Sequence, residues 1–109
     1  MKLLDAKTLL KFKKSQTLHD VKSGDRPVLV KYFDPCGRYT LYVVEARPVG
    51  DDWELYGYCV SPLGEDCDEY GYQMLSELQA VRGRFGLGIE RDIHFSGTIN
   101  SAVRGEVGA

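Results

Sequence analysis

The sequence predicts a single α+β domain: a four- or five-stranded, mostly antiparallel sheet with an N-terminal helix and a short helix near residues 76–83. The strands are predicted by segments in which apolar and aromatic residues alternate with polar ones. Short connections containing proline and glycine separate these segments, and short connections favour antiparallel neighbours. A chain of 109 residues with 43% hydrophobic and 28% charged residues has the size and composition of one globular domain.

The first helix is expected at residues 3–14, with Asp5 as its N-cap. Its apolar face is predicted from spacings of three and four, and consists of Ala6, Leu9, Leu10 and Phe12. The helix also carries a cluster of basic residues: Lys7, Lys11, Lys13 and Lys14. These lysines are interpreted first as a solvated outer face, and alternatively as a patch that contacts phosphate groups or a membrane surface. Residues 15–26 lack periodicity and are expected to form a loop.

The sheet is expected to begin with three consecutive strands and to gain a fourth after an acidic loop. The expected strands are residues 28–33, 38–46, 53–60 and 70–74. Turns at 34–37 and 48–52 contain aspartate, proline and glycine, which favour reversal of the chain. The second strand is rich in aromatic and β-branched residues, which suit a half-buried pleated surface.

A short second helix is expected to begin at Ser76, whose hydroxyl would form a capping box with Gln79. Its apolar stripe consists of Leu75, Leu78 and Val81. Gly83 and Gly86 are expected to end this helix, because glycine adopts the left-handed conformation of a C-cap at little cost. A helix of about two turns is not stable alone, so it should pack against the sheet.

A last strand is expected at residues 89–95. In this strand Glu90, Asp92 and His94 would project from one face, because side chains alternate along a strand. Arg91 would share the other face with apolar residues. Residues 97–109 offer little to bury and are expected to form a flexible tail, so the folded domain is expected to span residues 1–96.

Four segments carry a resemblance to a known family. They are residues 27–35 (PVLVKYFDP), 69–72 (EYGY), 75–78 (LSEL) and 86–95 (GLGIERDIHF). With these segments the chain resembles the bacterial domain of unknown function 2958 family over most of residues 3–96. It departs from the family pattern at Gln79 and Gly88, where members often carry glutamate and proline. The resemblance implies a small α+β domain that is often encoded on bacterial mobile elements, and it implies no established activity.

The composition narrows the class of protein. No apolar segment approaches the roughly 20 residues of a membrane span, and no signal peptide is recognisable, so a cytoplasmic protein without membrane association is expected. Three cysteines without a C-x-x-C pair, Cys36, Cys59 and Cys67, are expected to be reduced thiols. Nucleotide-binding and hydrolase motifs are absent, and no cofactor is expected.

Charge is distributed unevenly along the chain, although the net charge is only −2. Residues 1–31 contain eight basic and three acidic residues, whereas residues 32–109 contain six basic and thirteen acidic ones. This asymmetry indicates either a basic face on the first helix or mutual attraction between the two parts of the chain.

The most suggestive group for catalysis is the strand face formed by Glu90, Asp92 and His94. Two carboxylates and an imidazole could hold Mg²⁺, Mn²⁺ or Zn²⁺ or transfer protons, but a solvent-exposed strand face is the simpler interpretation. A loop with four carboxylates could likewise bind a cation, although the EF-hand pattern is absent and a solvated loop is favoured. Its acidic residues are Glu65, Asp66, Asp68 and Glu69. Zinc binding by the three cysteines and a histidine is disfavoured, because no paired spacing is present.

Arg91 is expected to be partly buried and to need a carboxylate partner, because an unpaired buried charge is costly. Glu45 is the first candidate, since it would share a strand face with Leu41 and Val43 and so interrupt an apolar row. The alternatives are Glu69 and Glu77. Such a pair would tie the last strand to the sheet or to the second helix.

The leading hypothesis is a non-enzymatic module that binds another protein, and the resemblance adds an accessory role on a mobile element. One alternative is a metal-dependent hydrolase that uses Glu90, Asp92 and His94. Another is a nucleic-acid-binding module that uses the four N-terminal lysines. The seven tyrosines, mostly in the expected sheet, could also stack on bases, but the sheet region is net acidic and tyrosine is common on half-buried sheet faces.

Overall fold

A five-stranded antiparallel sheet forms the centre of the structure, a computed structural model that describes residues 3–15, 25–82, 87–92 and 94–104. In chain order the helices and strands are α1 (Ala6–Ser15), β1 (Val30–Phe33), β2 (Thr40–Val49), β3 (Asp52–Val60), β4 (Glu69–Met74), α2 (Leu75–Ala80), β5 (Glu90–Arg91) and α3 (Ile99–Arg104). The strand order is β4-β3-β2-β1-β5, and all neighbours are antiparallel. The predicted α+β fold class is therefore confirmed.

The β2–β3 hairpin is longer than the sequence predicted. The turn expected at 48–52 contracts to Gly50 and Asp51, and β2 continues through Pro48, which lies opposite Trp53. Gly50 has a φ of 59°, which glycine adopts without the steric cost that a side chain would bring. This conformation allows the chain to reverse within two residues, as in the tightest hairpins.

A β-bulge interrupts the pairing of β2 with β3. The register shifts between Val43, which lies opposite Gly57, and Glu45, which lies opposite Tyr56. A Cβ atom at position 57 would overlap the Tyr42 carbonyl oxygen, so only glycine allows the two strands to approach there. Beyond the bulge, Glu45 lies on the same face of the sheet as Tyr56 and no longer on the face of Val43.

Apolar side chains pack on both faces of the sheet. The larger cluster lies between the sheet and the helices α1 and α2. Its largest fully buried side chains are Tyr32, Phe12, Leu41, Leu55 and Leu78. The second cluster lies on the opposite face, where α3 packs, and contains Val28, Tyr42, Val44 and Ile99. The two faces thus have separate hydrophobic cores.

The buried face of α1 differs from the predicted apolar stripe. Thr8, Phe12 and Ser15 are buried, whereas Leu10 is 58% exposed and Ala6 is also exposed. Ser15 can be buried because its hydroxyl donates to the Phe12 carbonyl oxygen at 2.7 Å and accepts from the Ala46 backbone N–H at 3.1 Å. The helix therefore orients around Phe12, whose ring lies 5.3 Å from that of Trp53.

The helix α2 begins one residue earlier than expected, and its cap is different. Ser76 lies inside the helix, and its backbone N–H donates to Asp52 Oδ1 at 3.1 Å while its hydroxyl donates to Asp52 Oδ2. Glu77 accepts a hydrogen bond from the Met74 backbone N–H at 3.1 Å. The predicted capping box of Ser76 and Gln79 is therefore wrong. The Asp52 carboxylate, at the start of β3, accepts the free Ser76 amide instead.

The predicted stripe of α2 holds for two of its three residues. Leu75 and Leu78 are buried, but Val81 follows the last helical residue and is 40% exposed. The helix ends at Ala80, before the glycines that were expected to end it. Residues 83–86 lie outside the described part of the chain.

The segment after residue 96 is docked on the sheet, which corrects the expected flexible tail for residues 97–104. The Val28 backbone N–H donates to the Gly97 carbonyl oxygen at 2.8 Å, and Thr98 forms a β-bridge with Pro27. Ile99, in α3, is only 3% exposed. Between residues 97 and 104 the sequence contains only Ile99, Ala102 and Val103 as apolar residues, which is too short a pattern to predict a helix. Residues 105–109, and residues 16–24 of the expected loop, lie outside the described part.

None of the described helices combines the length and the apolar character that are needed to cross a membrane.

Candidate functional site

The face predicted from Glu90, Asp92 and His94 does not form. The strand β5 contains Glu90 and Arg91, and one further backbone hydrogen bond joins the Asp92 N–H to the Lys31 carbonyl oxygen of β1 at 2.9 Å. Asp92 Oδ1 accepts hydrogen bonds from the backbone N–H groups of His94 and Phe95, at 2.9 and 3.0 Å, while Asp92 Oδ2 lies 3.6 Å from Lys31 Nζ. This carboxylate therefore serves the turn and an ion pair instead of continuing a strand face.

The acidic loop is also organised by ion pairing. Asp68 accepts two hydrogen bonds from Arg38, each at 2.8 Å, and one from the Ser61 backbone N–H at 2.7 Å. The Arg38 guanidinium holds the pKa of Asp68 below its ordinary value. Within the described ranges, no group of three or more histidine, cysteine or acidic side chains is arranged to hold a metal ion. The three cysteines are free thiols, and burial raises the pKa of Cys59.

Arg91 pairs with Asp5. Its Nη1 lies 2.5 Å from Asp5 Oδ2 and 3.3 Å from Thr8 Oγ1, and its side chain is 15% exposed. Asp5 Oδ1 also accepts the Thr8 backbone N–H at 2.7 Å, which is the predicted N-cap bond of α1. Hydrogen bonds from Thr8, together with the Arg91 guanidinium, hold the pKa of Asp5 well below its usual range. One carboxylate thus joins α1 to the edge strand β5.

The partners expected for Arg91 lie elsewhere, which corrects that assignment. The β-bulge places Glu45 on the other face of the sheet, where Arg26 Nη1 contacts its carboxylate at 3.1 Å. Glu69 is in β4, at the opposite edge of the sheet from β5. Glu77 accepts the Met74 backbone N–H. The sequence could not indicate Asp5, because this pairing requires α1 to dock beside β5.

The four lysines of α1 are all exposed, but they do not form one patch. Lys7 and Lys11 border a cavity with Arg91, and Lys11 and Lys14 border an adjoining apolar cavity. Lys13 lies outside both. The basic residues therefore separate into a row of three along a groove and one that faces elsewhere.

A group of four tyrosines, hereafter the tyrosine surface, lies on the α3 face of the sheet: Tyr56, Tyr58, Tyr70 and Tyr72. Tyr56 is paired with Tyr72 and Tyr58 with Tyr70 across β3 and β4, so that all four project from one face. The ring centroid of Tyr56 lies 5.0 Å from that of Tyr72 and 5.7 Å from that of Tyr70. The rings of Tyr58 and Tyr70 are 5.2 Å apart in an edge-to-face arrangement. These contacts fix the rings in a continuous aromatic layer.

The outer margin of this layer is open. Tyr72 is 70% exposed, and it lines a cleft of about 300 Å³ with Tyr56 and the Arg47–Glu54 ion pair. The Arg47 and Glu54 side chains contact each other at 2.7 Å. The strand β4 is the last in the sheet and, among the described strands, pairs only with β3. One exposed aromatic ring, that of Tyr72, and an edge strand therefore lie side by side, with the half-buried rings of the other three tyrosines behind them.

The sequence alone indicates part of the tyrosine surface. Tyr56 and Tyr58, and again Tyr70 and Tyr72, are separated by one residue, which places each pair on one strand face. Only the β3–β4 register shows that both pairs share the same face. The seven tyrosines suggest a stacking surface, but their grouping depends on strand pairing that the sequence does not specify.

The fold defines a small α+β domain built on an open five-stranded antiparallel sheet. A family model described as Protein of unknown function (DUF2958) matches residues 3–103, nearly the whole chain, and the protein belongs to this family. The match extends past residue 96 into α3, in agreement with the docking of that helix. No curated protein and no solved structure matches the chain.

Proposed function

We propose that this protein is a non-enzymatic module that binds another protein through the tyrosine surface and the open edge of β4. The observation that carries the proposal is Tyr72, a large aromatic side chain that is 70% exposed beside an open strand edge. Isolated exposed apolar residues are common on soluble proteins, but here the exposed ring belongs to a contiguous group of four aromatic rings in stacked, tilted and edge-to-face contacts.

Tyrosine is well suited to an interface. It provides a large contact area and a hydroxyl group, and it loses little conformational freedom on binding. In this protein the loss of conformational freedom is smaller still, because Tyr72 already packs against Tyr56 in the unbound domain. The surface is therefore preorganised for binding.

The occupant that fits best is an extended segment of a partner protein, added to the sheet as a strand beside β4. An edge strand offers unpaired backbone N–H and C=O groups, and side chains on alternate residues of the added strand would contact the tyrosine layer. Tyr70 and Tyr72 are themselves two residues apart, so apolar side chains at the same spacing in the partner could pack on both.

Charge supports a protein partner over a nucleic acid at this surface. Arg47 is paired with Glu54 and Arg38 with Asp68, so the nearest arginines are already neutralised. Stacking platforms for single-stranded nucleic acid usually lie in a positive groove, whereas residues 32–109 carry six basic and thirteen acidic residues. We also propose an accessory role on a bacterial mobile element, which only the resemblance noted in the sequence implies, and a cytoplasmic setting, which the free thiols suit.

A crosslinking experiment tests the proposal directly. A photo-crosslinking amino acid at position 72 should capture a protein partner in cells of the native host, and the partner should be identified by mass spectrometry. Tyr72→Ala should weaken affinity for that partner roughly thirtyfold, as loss of a central aromatic contact does. The matched control is Leu10→Ala, since Leu10 is also an exposed large apolar residue but lies on α1. Equal affinity of the Tyr72→Ala variant and the unaltered protein would contradict the proposal.

A further inference from the structure

A groove runs between α1 and the sheet edge formed by β1 and β5. It consists of two adjoining cavities of about 440 and 230 Å³, which share Lys11, Leu29 and Phe95 as lining residues. Three separate parts of the chain form it: α1, the segment that enters β1, and the segment between β5 and α3. The larger cavity alone is within the size range of small-molecule sites.

The wall of the larger cavity is mainly apolar. It includes Val28 and Leu29 from the entry to β1 and Phe95 from the turn after β5. Phe95 is held in place by Tyr42, whose ring lies 5.5 Å from its own, and by Lys31, whose ammonium lies 5.5 Å from its centroid. An apolar ligand group would therefore contact a preformed wall.

The charged groups of the groove leave an excess of positive charge. Asp5 is paired with Arg91, while Asp92 is paired with Lys31 and also accepts two backbone hydrogen bonds. In contrast, no ion pair within the described ranges involves Lys7 or Lys11, and both side chains are exposed along the groove. These two lysines are four residues apart, so their ammonium groups can approach the same anion.

We infer that this groove binds a small amphiphilic anion: one carboxylate on an aliphatic chain. The carboxylate lies between the ammonium groups of Lys7 and Lys11, and the aliphatic chain lies on the wall formed by Val28, Leu29 and Phe95. Neither group of contacts is sufficient alone. The lysines are too exposed for a simple anion to bind tightly, and an uncharged chain would gain only the apolar contacts.

The probe for this inference is octanoate, with two partial analogues. Octanol has the chain without the charge, and acetate has the carboxylate without the chain. In two-dimensional ¹H–¹⁵N NMR titrations, octanoate should shift the amide signals of Lys7, Lys11, Leu29 and Phe95. Titration calorimetry should show tighter binding of octanoate than of octanol, and acetate should produce no shifts at the same concentrations.

Charge-removing variants locate the carboxylate. Lys7→Gln combined with Lys11→Gln should weaken octanoate binding roughly fivefold or more, and leave octanol binding unchanged. The matched control is Lys13→Gln, an equal loss of positive charge on the same helix but outside both cavities. All three lysines are exposed, so the thermal unfolding curves of these variants should overlap that of the unaltered protein.

Several results would overturn the inference. They are the absence of octanoate-induced shifts, shifts that map away from the groove, and equal affinity for octanol and octanoate. A fourth is a loss of octanoate affinity in the Lys13→Gln variant equal to that in the variant with both Lys7→Gln and Lys11→Gln.

A parallel titration with a short single-stranded oligonucleotide tests whether these lysines bind nucleic acid instead. Binding of the oligonucleotide but not of octanoate would assign the row of lysines to nucleic acid and reject the small-molecule site.

Discussion

Asp5 performs two tasks with one carboxylate. Oδ1 accepts the Thr8 backbone N–H and so caps α1, while Oδ2 contacts the Arg91 guanidinium of β5 at 2.5 Å. Both contacts stabilise the ionised form, which is why the pKa of Asp5 lies well below its usual range. Because the folded state binds a proton less readily than the unfolded chain, this group stabilises the fold when it is ionised.

A pH-dependent stability difference follows from Asp5→Asn. Asparagine is also a good N-cap, so the substitution keeps the Thr8 hydrogen bond and removes the charge that pairs with Arg91. The variant should be less stable than the unaltered protein at pH 5–7. The difference should shrink as the pH falls below the ordinary aspartate value of about 3.9, because the unfolded chain then binds a proton at this carboxylate, and it should vanish only below the lowered pKa of the folded state. Urea denaturation at pH 7 and at pH 3 or lower measures both differences.

The control for this prediction is Asp66→Asn, an exposed carboxylate in the loop before β4. Its stability difference should be small at both pH values, since ordinary surface substitutions have little effect. A pH-independent difference for Asp5→Asn would show that the Arg91 ion pair contributes nothing beyond the cap.

The sequence indicates that Arg91 needs a partner, but it does not indicate which residue that partner is. The position of Arg91 among apolar residues indicates that its guanidinium needs a carboxylate. The choice of Glu45 assumed that β2 alternates without interruption, but the β-bulge reverses the face on which Glu45 lies. Asp5 had been identified only as a helix cap. Its second contact depends on where α1 docks, which no local pattern specifies.

The helix α3 is the element that the sequence did not predict, and it covers part of one face of the sheet. Its attachment depends on Ile99, which is 3% exposed and packs with Val28, Tyr42 and Val44. The backbone hydrogen bond from Val28 to Gly97 holds the segment that leads into the helix. This segment is therefore part of the folded domain.

Ile99→Ala should lower the free energy of unfolding by about 2–4 kcal/mol, the usual cost of truncating a buried large aliphatic side chain. Leu63→Ala should cost about 0.5 kcal/mol or less, since Leu63 is 84% exposed. Chemical denaturation of the two variants against the unaltered protein gives both values. Equal unfolding midpoints for all three proteins would mean that α3 is not docked in solution.

Most elements could be predicted because their periodicity is local, but their ends could not. Alternation located β1 to β4, and the spacing of Leu75 and Leu78 located α2. The Ser76 amide, in the first turn of α2, instead donates to Asp52, which is 24 residues away in sequence. Likewise β5 ends at Arg91 because Asp92 accepts two backbone N–H groups of the turn that follows. Tertiary hydrogen bonds decide these boundaries, and sequence windows do not contain them.

At the scale of the whole molecule, the two proposed binding regions lie at opposite edges of the sheet. The tyrosine surface belongs to β3 and β4, whereas the groove borders β1 and β5. The sequence indicates the tyrosine surface through its alternating tyrosines, and it indicates the groove through lysines at helical spacing. It does not contain the strand order β4-β3-β2-β1-β5, which decides that the two regions are separate.

This separation predicts that the two regions bind independently. The four strand spacings from β4 to β5 amount to about 19 Å, which is beyond the range over which substitutions usually couple. Tyr72→Ala should therefore leave octanoate affinity unchanged, and the Lys7→Gln and Lys11→Gln combination should leave affinity for the crosslinked partner unchanged. A variant with all three substitutions should show both losses, each equal to its separate value. Calorimetry on the same preparations measures the octanoate affinity, and a direct binding assay measures that of the partner. If octanoate instead changes affinity for the partner, the sheet couples the two edges, and by thermodynamic reciprocity the partner must change octanoate affinity by the same factor.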